Sequence, residues 1–266
     1  MRLSFLLVVT TAAALFAAPA RGDVSSVSPP DRRWSGSNAL TLPRGRSELG
    51  LLGGARYGLT DSLELTVNPL VAVVVPHLEA KLMVARELGL FALRGRASYP
   101  TTFLELVSKE GEFGLLPATS KPPIAVQLEA DIVATAAWFE RQLVSVWFGF
   151  ALAVHPPFTP EELPLLDFPF LYPRFAPLYG PGVPRLGFSF EGGVVGGLHY
   201  TAELVAFVMP GLPDVGDASA IEPNLALEYR FGARFAVSGG VRTSHAEYAY
   251  GRRTHFLPYL DVRAGF

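Results

Sequence analysis

Apolar and polar residues alternate along most of this chain with a period of two. In the last stretch, "LPYLDVRAGF", Phe266, Ala264, Val262, Leu260 and Pro258 alternate with Gly265, Arg263, Asp261, Tyr259 and Leu257, and Phe256 continues the apolar set. Successive side chains of a strand point to opposite faces, so this stretch reads as a strand with one greasy and one wet face. The same pattern recurs over 48–57, 63–69, 78–85, 91–99, 124–136, 144–154, 186–194, 198–208, 221–231 and 235–243. No charge falls on the apolar face of any of these segments. That separation is what a hydrocarbon-facing surface requires, since a Lys or Arg at mid-depth costs about 2–4 kcal/mol. Several segments reach the roughly 9–11 residues that span a bilayer as a tilted strand. A soluble sandwich would alternate in the same way with its apolar face inward, but would seldom keep so many strands of that length.

The connections supply a count. Short links such as "GLTD" (58–61), "RELG" (86–89), "FERQ" (139–142), "GG" (196–197) and "GAR" (232–234) alternate with longer ones at 69–76, 100–122, 156–184, 210–219 and 244–254. Outer-membrane barrels have short periplasmic turns and long outer loops. The last strand then runs inward to Phe266. The aromatic residues Tyr57, Phe91, Trp138, Phe139, Tyr200, Phe231, Phe235 and Phe266 gather at the inner rim. Single-chain bacterial barrels have an even number of strands, whereas the pattern shows eleven. A twelfth is expected in "WSGSNALTL" (34–42), turned by "PRG" and pairing with the last strand to close the cylinder. The expected fold is all-β: a transmembrane up-and-down antiparallel β-barrel of about 12 strands.

Composition agrees. Of 266 residues, 50% are hydrophobic and 17% charged, and there is no cysteine. Disulfides, thiolate metal sites and a Cys nucleophile are thereby excluded. The net charge of −2 gives no basic footprint for nucleic acid. The start, "MRLSFLLVVTTAAALFAAPARGD", has one early Arg, an apolar run and small residues at A-x-A-like sites, the layout of a cleaved signal peptide at 1–22. A retained membrane anchor is the other reading of that run. Cleavage would remove Arg2 and Arg21 and leave a net charge of −4. Residues 23–33 would be a short N-terminal segment and 34–266 the barrel, exported to the bacterial outer membrane.

Two resemblances follow from these residues. The terminal strand, with Phe256, Tyr259, Leu260, Val262 and Phe266, resembles the signal by which Gram-negative outer-membrane proteins are read by the barrel-assembly machinery. The stretch "LTLPRGRSELGLLGGARYGLTDSLEL" (40–65) resembles the first hairpin of small outer-membrane barrels, including the family named for a role in phenol degradation (the MetA-pathway family). That second resemblance implies transport of aromatic compounds.

Candidate chemistry lies on the wet faces. Glu48, Arg56, Glu64, Glu79, Lys81, Arg94, Arg96, Glu129, Asp131, Glu191, Glu203, Glu222, Glu228, Arg230, Arg242, Asp261 and Arg263 are expected to line the lumen. They would either set selectivity or fill a narrow interior with paired charges. Segment 156–184 is dense in proline and aromatics. Its Phe158, Phe168, Phe170, Tyr172, Phe175 and Tyr179 would form a constriction or an apolar mouth, or else pack on one another. The function expected is passive passage of a small solute, hydrophobic or aromatic solutes included. A structural or surface-interaction barrel without a pore is one alternative. A lipid-modifying enzyme using Ser244, His245 and Glu247 is another, although adjacent Ser and His on a strand point apart and no enzyme is expected. No cofactor or metal is expected, because the five histidines show no i, i+4 pair. The expected partners are outer-membrane lipid and lipopolysaccharide, the assembly machinery and the solute, but not nucleic acid.

Overall fold

A computed structural model describes Trp34 and residues 36–85, 90–108, 116–117, 119–139 and 142–266. The expected signal peptide (1–22), the segment 23–33 and the turn residues 86–89 lie outside the described residues. Twelve antiparallel strands form one closed barrel. They are β1 (Ser47–Gly50), β2 (Gly54–Gly58), β3 (Leu63–Val67), β4 (His77–Ala85), β5 (Leu90–Ser98), β6 (Val126–Phe139), β7 (Gln142–Val154), β8 (Val183–Val195), β9 (Leu198–Leu212), β10 (Gly216–Phe231), β11 (Phe235–Tyr248) and β12 (Gly251–Gly265). Each strand pairs with its neighbour in sequence, and β1 closes on β12. Among the described residues, three short α-helices lie between strands, α1 (Pro69–Ala72), α2 (Thr101–Val107) and α3 (Tyr172–Phe175), the last followed by a 3-10 turn at Ala176–Leu178. No helix among the described residues is long and apolar enough to cross a membrane.

The outer face follows the alternation. Leu225, Leu227 and Tyr229 of β10, and Phe256, Leu260 and Val262 of β12, are exposed, while Glu222, Glu228 and Asp261 between them are buried. A water-soluble sandwich would invert that burial. Tyr57, Trp138, Phe231, Phe235 and Phe266 are exposed near the end where Phe266 lies. This end is called the terminal end below; the opposite one is the long-loop end.

The count of twelve holds, but two of its parts are different. Segment 48–57 is two strands, not one: β1 and β2 form a tight hairpin with Leu51–Gly53 at its tip. Gly54 at φ +86 supplies the left-handed residue such a reversal needs. The predicted strand 34–42 does not form. Ser47 closes the barrel instead, its N–H donating to Phe266 O at 3.1 Å while Phe266 N–H donates to Ser47 O at 2.9 Å. The physical reason lies in the residues: Trp34, Gly36, Asn38, Leu40 and Leu42 include an amide, and Ser37, Ala39 and Thr41 include two hydroxyls. Neither face could meet lipid without burying a polar group there.

The predicted outer loops 210–219 and 244–254 are also corrected. They are tight turns at 213–215 and 249–250 on strands of 14–16 residues. The ladder outlasts the alternation because a strand that has left the bilayer can carry polar groups outward, as Glu247, Arg252 and Thr254 do.

Candidate functional site

The inner face carries the ionisable residues, and most are paired. On β5, β6 and β8, Arg94 Nε lies 2.7 Å from Asp131 Oδ2. Arg185 grips the same carboxylate in a fork, with Nε to Oδ1 at 2.7 Å and Nη2 to Oδ2 at 2.9 Å. Arg185 also bonds Glu129, which Arg96 approaches at 4.0 Å. Bidentate pairs of this kind are the strong ones. Gly149 makes the crowding possible, because a Cβ there would sit 1.8 Å from Asp131 Oδ1. Across the lumen, Glu48 binds Arg263 at 2.8 Å and Arg56 at 3.6 Å. Arg263 continues to Glu228, which Arg230 meets at 2.6 Å. Lys81 pairs with Glu64 at 3.3 Å. Glu79 stands opposite Arg96 in the β4–β5 register. Arg185 was missed in the sequence, though it lies one step before Gly187, Ser189 and Glu191 on the wet face of 186–194. Extending that segment by one residue would have found it.

Two segments fill this lumen, one from each end. At the terminal end residues 36–42 thread inside the wall. Asn38 Nδ2 donates to Glu191 Oε1 at 2.6 Å and Ser37 Oγ to Glu203 Oε2 at 2.9 Å. Leu42 N–H donates to Glu64 Oε2 at 2.8 Å and Ala39 N–H to Thr135 Oγ1 at 2.9 Å. Trp34 lies under Arg263, whose guanidinium carbon is 5.1 Å from the indole centroid. Ala39 and Leu40 pack with Met83, Leu90, Ala92, Val133 and Trp147. Carboxylates that sequence assigns to the lumen thus bind the chain's own N-terminal segment.

At the long-loop end, the connection 155–182 folds inward. Phe170 takes a left-handed backbone, φ +65, immediately before α3. Tyr172 and Ala176 then pack with Ala151, Phe207, Met209, Ala220, Ala246 and Tyr248, which belong to β7 and β9–β11. Arg174 forks onto Glu222 at 2.8 and 2.7 Å. Phe175 and Leu178 join a second cluster with Leu104, Val107, Leu163 and Leu166, against which Phe103 and Phe158 pack. Tyr179 O–H donates to Pro164 O at 2.9 Å, and burial pushes the Tyr172 and Tyr179 phenols up, so both stay neutral. Of the six aromatics expected at a mouth, Tyr172 and Phe175 are buried, Phe158, Phe170 and Tyr179 half-buried, and Phe168 exposed.

Among the described residues, the interior is left open along β10–β12. The inward-facing Asn224, Arg242 and Tyr259 are not buried, and Tyr259 O–H donates to Asn224 Oδ1 at 3.0 Å. Leu257, on the same inner face, is 49% exposed. The wall itself is low beside this strip. Only Gly265, Ala264 and Arg263 of β12 have partners in β1, followed by Leu51 N–H to Val262 O at 3.1 Å. The Asp261 carboxylate caps the hairpin tip, accepting from Leu52 N–H at 2.8 Å and Gly53 N–H at 3.0 Å. Beyond that point, no backbone partner meets this edge of β12 among the described residues. By the strand's alternation, Leu260, Pro258, Phe256 and Thr254 aim their backbone groups at the gap. Pro258 has no N–H to leave unpaired, which is how proline is tolerated on an edge strand. The gap begins about 14 Å above the terminal rim, if a strand tilted near 45° rises ~3.3 Å per residue. It is bordered below by Leu51 and Leu52 and flanked by the apolar segment 69–76, where Val73 is 77% exposed.

Ser244 and His245 part as strand geometry demands. Ser244 faces inward and is buried, while His245 faces outward and shares a 2.8 Å hydrogen bond with Thr254 Oγ1. The two cannot act on one substrate from opposite sides of a wall. Among the described residues, no group of three His, Asp or Glu side chains is placed to hold a metal ion.

No family model matches this sequence and no curated protein matches it. Solved structures do. The COG4313 outer membrane channel from Pseudomonas putida F1 aligns over 88% of this chain and 100% of its own, at 10% identity and a TM-score of 0.55. OmpT with loop L8 deleted, an outer membrane protein of Vibrio cholerae, covers 82% of this chain and 62% of its own at 10% identity, TM-score 0.45. Pseudomonas aeruginosa OprD covers 86% and 63% at 12% identity, TM-score 0.40. The first of these likenesses shows the fold, a closed antiparallel β-barrel shared with an outer membrane channel; the other two are too distant to add to it.

Proposed function

We propose that this chain is an outer-membrane channel for a small, uncharged, largely apolar solute, and that the solute leaves the lumen sideways. It enters at the long-loop end, passes along the inner face of β10–β12 and exits through the gap beside β12 into the membrane. The observation that supports this reading is the low wall at membrane depth, where lumen-facing Leu257 and lipid-facing Phe256 and Leu260 border one opening. A straight path to the terminal end would have to displace residues 36–42 from their carboxylates. The charged lining is largely self-paired, so a neutral solute would cross it without breaking an ion pair.

The test is uptake of a labelled aromatic hydrocarbon by cells whose other outer-membrane channels are deleted, with and without this chain. Uptake should rise with the chain and fall several-fold in Leu257→Arg, which puts a guanidinium in the opening. Equal uptake in cells with and without the chain would reject passage; full uptake by the variant would reject the sideways exit. A structural barrel without a pore is the second reading, supported by the filling of the lumen from both ends. It expects no uptake and no conductance from folded protein.

Retention in the outer membrane through the terminal signal is part of the proposal. Phe256, Leu260, Val262 and Phe266 present one outward apolar stripe, and Tyr259 lies on the inner face. Recognition by the assembly machinery predicts that Phe266→Ala slows insertion without altering the folded barrel. Lipid and lipopolysaccharide are its proposed surroundings.

A further inference from the structure

Where α3 meets β11 and β12, the interior holds buried polar atoms with few partners among the described residues. The Tyr172 hydroxyl, the Tyr248 hydroxyl, Ser244 Oγ and His255 Nε2 are all buried without a hydrogen-bond partner in good geometry. Their residues come from three elements. Tyr172 is brought in by the inward-folded loop and is fully buried. Ser244 and His255 are direct cross-strand partners on β11 and β12, and Tyr248 lies two steps of the alternation further along the same inner face, beyond Ala246. Tyr248 and Ser244 are close enough to share a hydrogen bond. Two hydroxyls can share only one hydrogen bond, so an O–H, the Tyr172 phenol and the imidazole nitrogen would still lack partners.

The rings enclose these atoms. Tyr172 and Tyr248 lie 4.9 Å apart, the His255 ring meets Tyr248 edge-on at 5.8 Å, and Tyr250 stacks on Tyr248 at 5.2 Å. Tyr250 is half exposed, with the Arg253 guanidinium over its other side at 6.0 Å. Tyr250 and Arg253 border the cluster at the long-loop end, where β11 turns into β12. The strongest charges nearby are already matched, Glu222 by Arg174 and Glu247 by Arg252. The orphaned atoms themselves are hydroxyl donors and acceptors and one imidazole nitrogen, set among aromatic faces. Buried polar groups are almost always hydrogen-bonded, and so many unmatched donors and acceptors in one place point to an occupant that is not part of the chain.

We infer that Tyr172, Tyr248, Ser244 and His255 form a recognition site for a small uncharged ring compound carrying a hydroxyl group. The rings take the ligand's flat face, and the four polar atoms take its O–H. The site rests on the channel reading for its purpose: Leu257 follows His255 by two residues on the same inner face, so a released ligand would move directly onto the open strip. It explains why these hydroxyls lie at the start of that strip rather than being replaced by phenylalanine and alanine.

The experiment is equilibrium dialysis of the refolded full chain in detergent micelles against labelled benzyl alcohol, toluene and benzoate, with protein-free micelles as the blank. Benzyl alcohol should bind about tenfold more tightly than toluene, the value of one well-made neutral hydrogen bond, and benzoate should bind more weakly than benzyl alcohol. The double variant Tyr172→Phe, Tyr248→Phe keeps the rings and should reduce the preference over toluene to near one. Because the Tyr172 hydroxyl has no partner and the Tyr248 hydroxyl has only Ser244, the variant should fold normally, as read from heat-modifiable migration on a gel. Equal binding of benzyl alcohol and toluene by the wild type, or an unchanged preference in the folded double variant, would overturn the site and leave water as the partner of the four groups. Selective binding by a chain that gives no hydrocarbon uptake would keep the site and remove the channel.

Discussion

The barrel is built from two unlike sectors. Strands β6–β12 are 13–16 residues long and pair along nearly their whole length. Strands β1–β3 have four or five residues each, and β1 meets β12 at three positions. The tall sector holds itself by ladders and by the α3 loop packed within it. The low sector relies on side chains: Asp261 caps the hairpin tip, Glu64 takes a backbone N–H from the inserted segment, and Asn68 caps α1 above. A wall with complete ladders needs no help from its contents, whereas a wall that stops at mid-height must be finished by other groups. The sector that is least like a β-barrel is therefore the one where the solute is proposed to leave.

That contrast can be pressed by substitution. The largest effect should come from deleting residues 36–42. Conductance in planar bilayers should rise several-fold, and hydrogen exchange should accelerate in β1–β3 while β9–β11 stay protected. Uniform acceleration would mean that the two sectors are not independent. Next is Arg185→Met in the tall sector, which strips the fork from Asp131 and a partner from Glu129. Breaking a buried ion pair from one side costs about 3–5 kcal/mol, measurable as a lowered urea midpoint for the folded band.

Smaller still is Asp261→Ala. The two backbone donors at Leu52 and Gly53 lose a charged acceptor, a cost of about 1.5–3 kcal/mol, and exchange at those amides should rise without change in β7–β10. The mildest test is Pro258→Ala, which adds an N–H on the free edge of β12. Stability should move by less than about 0.5 kcal/mol, but chemical cross-linking in detergent should trap more dimer, because an unpaired edge with its donors restored can pair with another. An unchanged monomer fraction would mean that the 69–76 segment covers this edge.

Period-two alternation and the exclusion of charge from one face were enough to read a membrane barrel, and parity of strand number was enough to reach twelve. These are local properties: each segment carries its own two faces, and lipid tests each face separately. The side of the wall on which Glu64, Asp131 or Arg263 lies follows from position alone, and the separation of Ser244 from His245 does too. What decides the interior is contact between segments far apart in sequence. Residues 36–42 carry strand-like spacing but lie within the lumen, because Glu191, Glu203 and Glu64 offer acceptors that a lipid-facing strand would lack. Segment 48–57 alternates throughout and still folds back at Leu51–Gly53, where Asp261 of the last strand receives its amides. The cluster around Tyr172 and His255 joins residues 83 positions apart in a sequence that marks neither as a partner of the other. The face each side chain takes is inherited from the chain's own geometry. Which groups meet across the lumen, and where the wall stops, were settled only when the cylinder closed.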